Sequence, residues 1–303
     1  MNKKIIISII AVLIIGGSIY YSTSKNKTAS DGHTDHTHDA STTTAPTMSQ
    51  DHTKVTAATG ASLAGTRIIL KNSTIKSGEQ VLSFDLYGKD GDLWTDKDLK
   101  IAHEKKMHFI IASSDFADYQ HIHPEFKDNV WQVPVVLKNN TSYQAYVDID
   151  SDEDGAEVLR FPIIVGTQQA VSKVSQKQTN LTKDGIEVKM SAENSFTTGK
   201  ENLITFTLSK GGKSVIPENY LGAKGHVVAL GDNPDTFIHG HPNEHGDDET
   251  HFAFSFASAG TYTLFAQFQV GGVVRTYPFT ITVTPTTGVV DESKPHTDSV
   301  PHN

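Results

Sequence analysis

A histidine pattern occurs twice in this chain. His108 is followed by His121, His123 and Pro124, and His226 is followed by His239, His241 and Pro242. Both runs read H-x12-H-x-H-P, and each matched pair differs by 118 (226−108, 239−121, 241−123, 242−124). Only 15 of 303 residues are histidine, so this match at one offset marks a tandem duplication. Other positions extend it. Gln80-Val-Leu-Ser-Phe84-Asp-Leu86 parallels Asn202-Leu-Ile-Thr-Phe206-Thr-Leu208, and Tyr143-Gln-Ala-Tyr146 parallels Tyr262-Thr-Leu-Phe265. Arg160-Phe-Pro162 has a counterpart in Arg275-Thr-Tyr-Pro278.

Short segments of alternating apolar residues, separated by Gly, Asp and Asn, run through both copies and read as strands. In the first copy these are Ile68–Leu70, Gln80–Tyr87, Met107–Ala112, Val130–Val136, Ser142–Asp148 and Val158–Val165. No stretch inside the two copies keeps a helical period. The expected fold is all-β: two tandem antiparallel β-sandwich modules of the immunoglobulin or cupredoxin type, at 66–165 and 180–284, joined by a polar linker at 166–179.

The ends differ in character. Met1-Asn-Lys-Lys4 precedes an apolar run from Ile5 to Tyr21, about 25 Å as a helix and at the short end for a membrane span. Lysines on its N-terminal side favour that end staying in the cytoplasm. No A-x-A cleavage site follows, so 1–21 reads as an uncleaved signal-anchor helix, with a cleaved signal peptide as the alternative. Either places the modules outside the cytoplasm. Residues 22–65 are rich in Ser, Thr, Ala and Asp and read as a disordered stalk. The stalk carries His33, His36, His38 and His52, a composition associated with loose metal capture. A polar tail, 285–303, closes the chain with His296 and His302.

Imidazole is the commonest metal ligand among side chains. In an H-x-H pair on an extended strand both rings project from one face. His121 and His123 therefore point together, as do His239 and His241, with Ile122 and Gly240 turned away. Twelve residues suffice for a strand, a turn and a return, which brings His108 beside its pair and His226 beside its own. Three imidazoles with an open or carboxylate-filled fourth position suit Cu(II) or Zn(II). The expected metal ligands are His108, His121, His123, His226, His239 and His241. Asp115, Asp118, Asp232 and Asp235 are the nearby carboxylates, either supporting the ligands or serving in turns. The competing reading makes the histidines hydrogen-bonded structural residues of a surface module that presents an edge or loop to another protein.

Asp150-Ser-Asp152-Glu-Asp154-Gly155 opens like a calcium loop, but Phe161 stands where such a loop needs a glutamate, so an acidic hairpin is the preferred account. There is no cysteine, which removes thiol catalysis, thiolate zinc sites and blue-copper centres. No nucleophile elbow, H-E-x-x-H or phosphate loop occurs, and the chain is read as a non-enzyme. A net charge of −9 argues against nucleic acid as a partner.

The segments Met107-His-Phe-Ile-Ile-Ala through His121-Ile-His-Pro124 and Gly225-His-Val-Val-Ala through His239-Gly-His-Pro242 resemble bacterial extracytoplasmic β-sandwich proteins of the YtkA-like or heavy-metal-associated secreted kind. The setting is also similar to that of copper-resistance periplasmic sandwich proteins. The resemblance spans both modules and implies a role in metal binding or homeostasis for the six histidines. Methionines are few, Met48, Met107 and Met190 after the first residue, which favours Cu(II) or Zn(II) over Cu(I). The expectation is a single-pass membrane protein that sequesters or passes on divalent metal, its protein partner undefined.

Overall fold

A computed structural model describes residues 59–61, 65–167, 178–240, 242–243 and 249–286. The expected anchor helix, most of the stalk, linker and tail, His241 and His245 lie outside those residues. Everything described is strand, turn or irregular backbone. Module 1 contains β1 (Thr59–Ala61), β2 (Arg67–Leu70), β3 (Gly78–Tyr87), β4 (Leu93–Trp94), β5 (Met107–Ser113), β6 (Tyr119–Ile122), β7 (Glu125–Lys127), β8 (Val130–Leu137), β9 (Thr141–Ser151) and β10 (Gly155–Val165). Module 2 contains β11 (Asn180–Lys183), β12 (Ile186–Ala192), β13 (Glu201–Lys210), β14 (Lys213–Ser214), β15 (His226–Gly231), β16 (Phe237–Gly240), β17 (Pro242–Asn243), β18 (Glu249–Ser255), β19 (Gly260–Val270) and β20 (Val273–Val283).

Each module is a sandwich. In module 1 one leaf runs β2-β3-β8-β7 and the other β6-β5-β9-β10, and β1 pairs with both β10 and β2 to bridge them. The sequence places Thr59-Gly-Ala61 in the stalk, because three small residues carry no readable period; the structure makes it a strand. Module 2 repeats the leaves as β12-β13-β18-β17 and β16-β15-β19-β20. Every strand expected in module 1 forms. Phe84 and Phe206, matched by the duplication, are both fully buried between the leaves, near Phe109 in one module and Phe268 in the other.

Strand parity then decides what else is buried. On β5, Met107, Phe109 and Ile111 enter the module 1 core, while His108, Ile110 and Ala112 face the other way. On β15, Val227 and Ala229 enter the module 2 core, and His226, Val228 and Leu230 face out. These outward faces meet. Ile110, Ala112 and Tyr146 of module 1 form one apolar cluster with Val228, Leu230 and Phe265 of module 2, joined by Phe116, Tyr119 and Phe237. Tyr119 stacks on Phe265 with ring centres 4.0 Å apart, and Tyr146 stacks on Phe237 at 5.0 Å. Phe237 is the counterpart of Tyr119 (237−119 = 118) and Phe265 that of Tyr146 (265−146 = 119), so the two stacks are the same contact made twice. The modules dock as the halves of a two-fold dimer do, through one self-complementary face. Both β5 and β15 are consequently buried along their whole length.

Candidate metal centre

The histidines lie at one end of this shared face. His108 is opposite Asp148 on β9, and His226 is opposite Gln267 on β19. His121 on β6 is opposite Ile110, and His239 on β16 is opposite Val228. Directly paired residues share a face of a sheet. Backbone pairing alone therefore turns His108, His121, Asp148, His226, His239 and Gln267 into the space between the modules.

Three rings of module 1 converge there. Ring centres of His108 and His121 are 5.3 Å apart, those of His108 and His123 5.0 Å, and those of His121 and His123 5.1 Å. The fourth ring comes from module 2: His239 lies 5.0 Å from His108 and 5.1 Å from His121. His226 is further out, 5.9 Å from His239 and 6.1 Å from His121. The cluster draws on both copies of the pattern at once, where the sequence had suggested a triplet inside each copy. His108, His121 and His239 each offer a ring nitrogen within 4.8 Å of the others.

The spacing has a chemical meaning. For a metal–nitrogen distance of about 2.0–2.1 Å, with ring centres about 1.1 Å beyond the nitrogens, four imidazoles in a tetrahedron stand about 5.2 Å apart. Five of the six separations among His108, His121, His123 and His239 lie between 5.0 and 5.3 Å.

Four of the five rings have one nitrogen engaged by an acceptor. His108 Nε2–H donates to the Ala102 carbonyl at 3.0 Å, and His226 Nε2–H to the Tyr220 carbonyl at 2.8 Å. These carbonyls are 118 residues apart and are the same feature in each module. The other two bonds cross between modules. His121 Nδ1–H donates to Gln267 Oε1 at 2.8 Å, and His239 Nδ1–H donates to Asp148 Oδ2 at 3.0 Å. A carbonyl or carboxylate accepting one ring N–H fixes the tautomer and leaves a lone pair on the second nitrogen, as ligating histidines require. His108 Nδ1 and His121 Nε2 lie within hydrogen-bond distance of each other, 3.0 Å apart. His123 Nε2 is buried without a hydrogen-bond partner.

Burial keeps His108, His121, His123 and His226 neutral. It lowers His108 and His226 to about 4 and His123 to about 3, and it holds His121 well below the usual range with help from His108 and His123. Burial also pushes the Asp148 carboxyl up to about 7, with a smaller push from Asp150.

Three of the four carboxylates singled out in the sequence serve elsewhere. Asp115 caps its own turn through Ser113 and Ala117, Asp118 accepts the Tyr143 hydroxyl, and Asp235 pairs with Arg160, while the Asp232 backbone N–H donates to the Thr261 carbonyl just past β15. His251 lies on β18, in the other leaf of module 2, beside Thr205. Asp150–Gly155 forms the β9–β10 hairpin, with Asp150 paired to Lys100 and Asp154 to Lys89, and Phe161 is a core residue. Asp148 and Gln267 were missed. They lie two residues beyond the matched Tyr146 and Phe265, and extending that match along β9 and β19 finds them.

Residues 179–285, which contain module 2, match the model of a family described as a domain of unknown function (DUF8832). No curated protein matches the chain. Similar solved structures include an ICAM-5 D1–D4 ectodomain fragment, 13% identical over 72% of this chain and 54% of that chain, with a TM-score of 0.20. Chicken CNTN1 FN1–FN3 domains are 11% identical over 72% and 65%, with a TM-score of 0.21. Salmonella alpha-2-macroglobulin reacted with methylamine is 10% identical over 76% and 15%, with a TM-score of 0.21. The chain spans about half the length of the first of these.

Proposed function

We propose that this is a membrane-anchored, extracytoplasmic protein that binds a divalent transition metal, Cu(II) or Zn(II), at the junction of its modules, for sequestration or homeostasis. His108, His121, His123 and His239 are its ligands, and His226 stands behind them. The observation that carries this reading is the set of acceptors at Ala102, Tyr220, Gln267 and Asp148. Each takes one N–H from an imidazole, the arrangement that orients a ligating histidine. His108 Nδ1 and His121 Nε2 lie 3.0 Å apart, close enough to share one cation.

The test is equilibrium dialysis of the full chain against Cu(II) and Zn(II), with metal analysis and calorimetry. The expected result is one tightly held ion per chain, lost when His121 and His239 are both replaced by alanine. No metal retained at micromolar concentration, or equal retention by the variant, overturns the proposal in favour of a structural cluster in an interaction module.

A further inference from the structure

His103 stands outside the duplicated pattern, because Leu221 occupies its position in module 2 (221−103 = 118). Yet its ring adjoins both modules, 6.2 Å from His108, 6.4 Å from His226 and 6.3 Å from His239. These separations exceed the 5.0–5.3 Å of the central four, so His103 sits one ring further out. It is also exposed where His108 and His226 are buried.

Its backbone is unusual. Ala102 and Lys105 exchange N–H···O bonds across a two-residue turn, and His103 and Glu104 have φ of +49° and +64°. Two consecutive positive φ values define a turn that prefers Asn-Gly. A side chain with Cβ costs on the order of 1–2 kcal/mol at each such position. Module 2 makes the same turn between Tyr220 and Ala223, with Leu221 at +52° and Gly222 at +77°. The two turns meet: a Cβ placed on Gly222 would lie 3.7 Å from Glu104 Cγ. They also carry the Ala102 and Tyr220 carbonyls that orient His108 and His226. The paired turns are thus the rim of the cluster, and His103 is the imidazole on that rim, held there at a conformational cost.

A bare cation cannot cross into a buried site, because stripping its water is too costly. It moves by exchanging ligands one at a time, which requires a ligand accessible from outside and close to those inside. We propose that His103 is that exchange ligand: it takes the ion from water or from a carrier docked at the rim and delivers it to His108 and His239. This rests on the metal-site reading above.

The test compares the full wild-type chain with His103→Asn, since asparagine tolerates positive φ and preserves the turn. Stopped-flow mixing with Cu(II) or Zn(II) reads association, and transfer to excess EDTA reads release. Both rate constants are expected to fall together, by about tenfold or more, while the equilibrium affinity changes by less than about threefold. Unchanged rates overturn the exchange role. So does a loss of affinity with faster release, which would make His103 a resident ligand. If the asparagine variant melts early, His103→Gly relieves the same backbone and gives the same comparison. Wild-type protein that holds no metal sinks the metal-site reading itself, whereas equal rates with binding intact sink only the exchange role.

Discussion

Phe265 sits on the outer face of the β16-β15-β19-β20 leaf, where a solitary sandwich would leave it in water. In the docked pair it is 2% exposed, stacked on Tyr119 at 4.0 Å with the rings within 8° of parallel and edge-on to Phe116 at 5.9 Å. Truncating a buried phenylalanine to alanine costs about 3–5 kcal/mol. The same change at an exposed site costs no more than about 0.5 kcal/mol. Phe265→Ala therefore separates docked from undocked modules by several kcal/mol. For a folded unit of this size, a loss of about 4 kcal/mol lowers the melting temperature by roughly 8–16 °C. Stacking adds a coupling of about 0.5–1.5 kcal/mol between Tyr119 and Phe265. Urea unfolding of wild type, Phe265→Ala, Tyr119→Ala and the double variant measures both quantities. Because the Tyr119 hydroxyl is buried without a partner, Tyr119→Phe should be neutral or stabilising and serves as the control. A Phe265→Ala variant as stable as wild type, with no coupling to Tyr119, would refute the shared face and with it a site built from both modules.

Two further outcomes follow from the cluster. Asp148→Asn removes the charge that supports His239 and should weaken metal binding about 10- to 100-fold, read by competition with a chelator; equal affinity would show that the bond is incidental. The metal-free protein should lose stability in mild acid. His108 and His226 titrate near 4 when folded and near 6.5 when unfolded, so the unfolded chain takes up protons first as the pH falls. Their contribution is complete above about pH 6.5 and declines through pH 4, by about 2 kcal/mol per histidine between pH 7 and pH 5. Urea midpoints that stay flat over that range would mean the rings are solvated.

Much of this architecture is legible in the chain. The offset of 118 gives two modules, and the period of two along Gln80–Tyr87 or Val158–Val165 gives their strands. The x12 spacing brings His108 back beside His121 because it encloses β5, a turn and β6. What stays hidden is the contact between modules, since no offset states which faces of two copies meet. A trace exists in Phe109-Ile-Ile-Ala112 and Val227-Val-Ala-Leu230, apolar at both parities, which a strand with one face in water does not need. Asp148 and Gln267 escape for a simpler reason. One extra residue before β19 shifts their offset to 119, and their roles depend on a histidine from the opposite module. Asp115 and Asp118 are nearer in sequence, but their turn holds them away from the cluster.

The self-complementary face carries an evolutionary consequence. A protein that met its own copy across this surface would be bound to strict symmetry, because every substitution would appear on both sides. Joining the two halves in one chain lifts that restriction. Asp148 stands where the other half has Gln267, and His103 where it has Leu221. One half can thus specialise in charge and access while the other keeps the frame, a division of labour that a pair of identical subunits cannot encode.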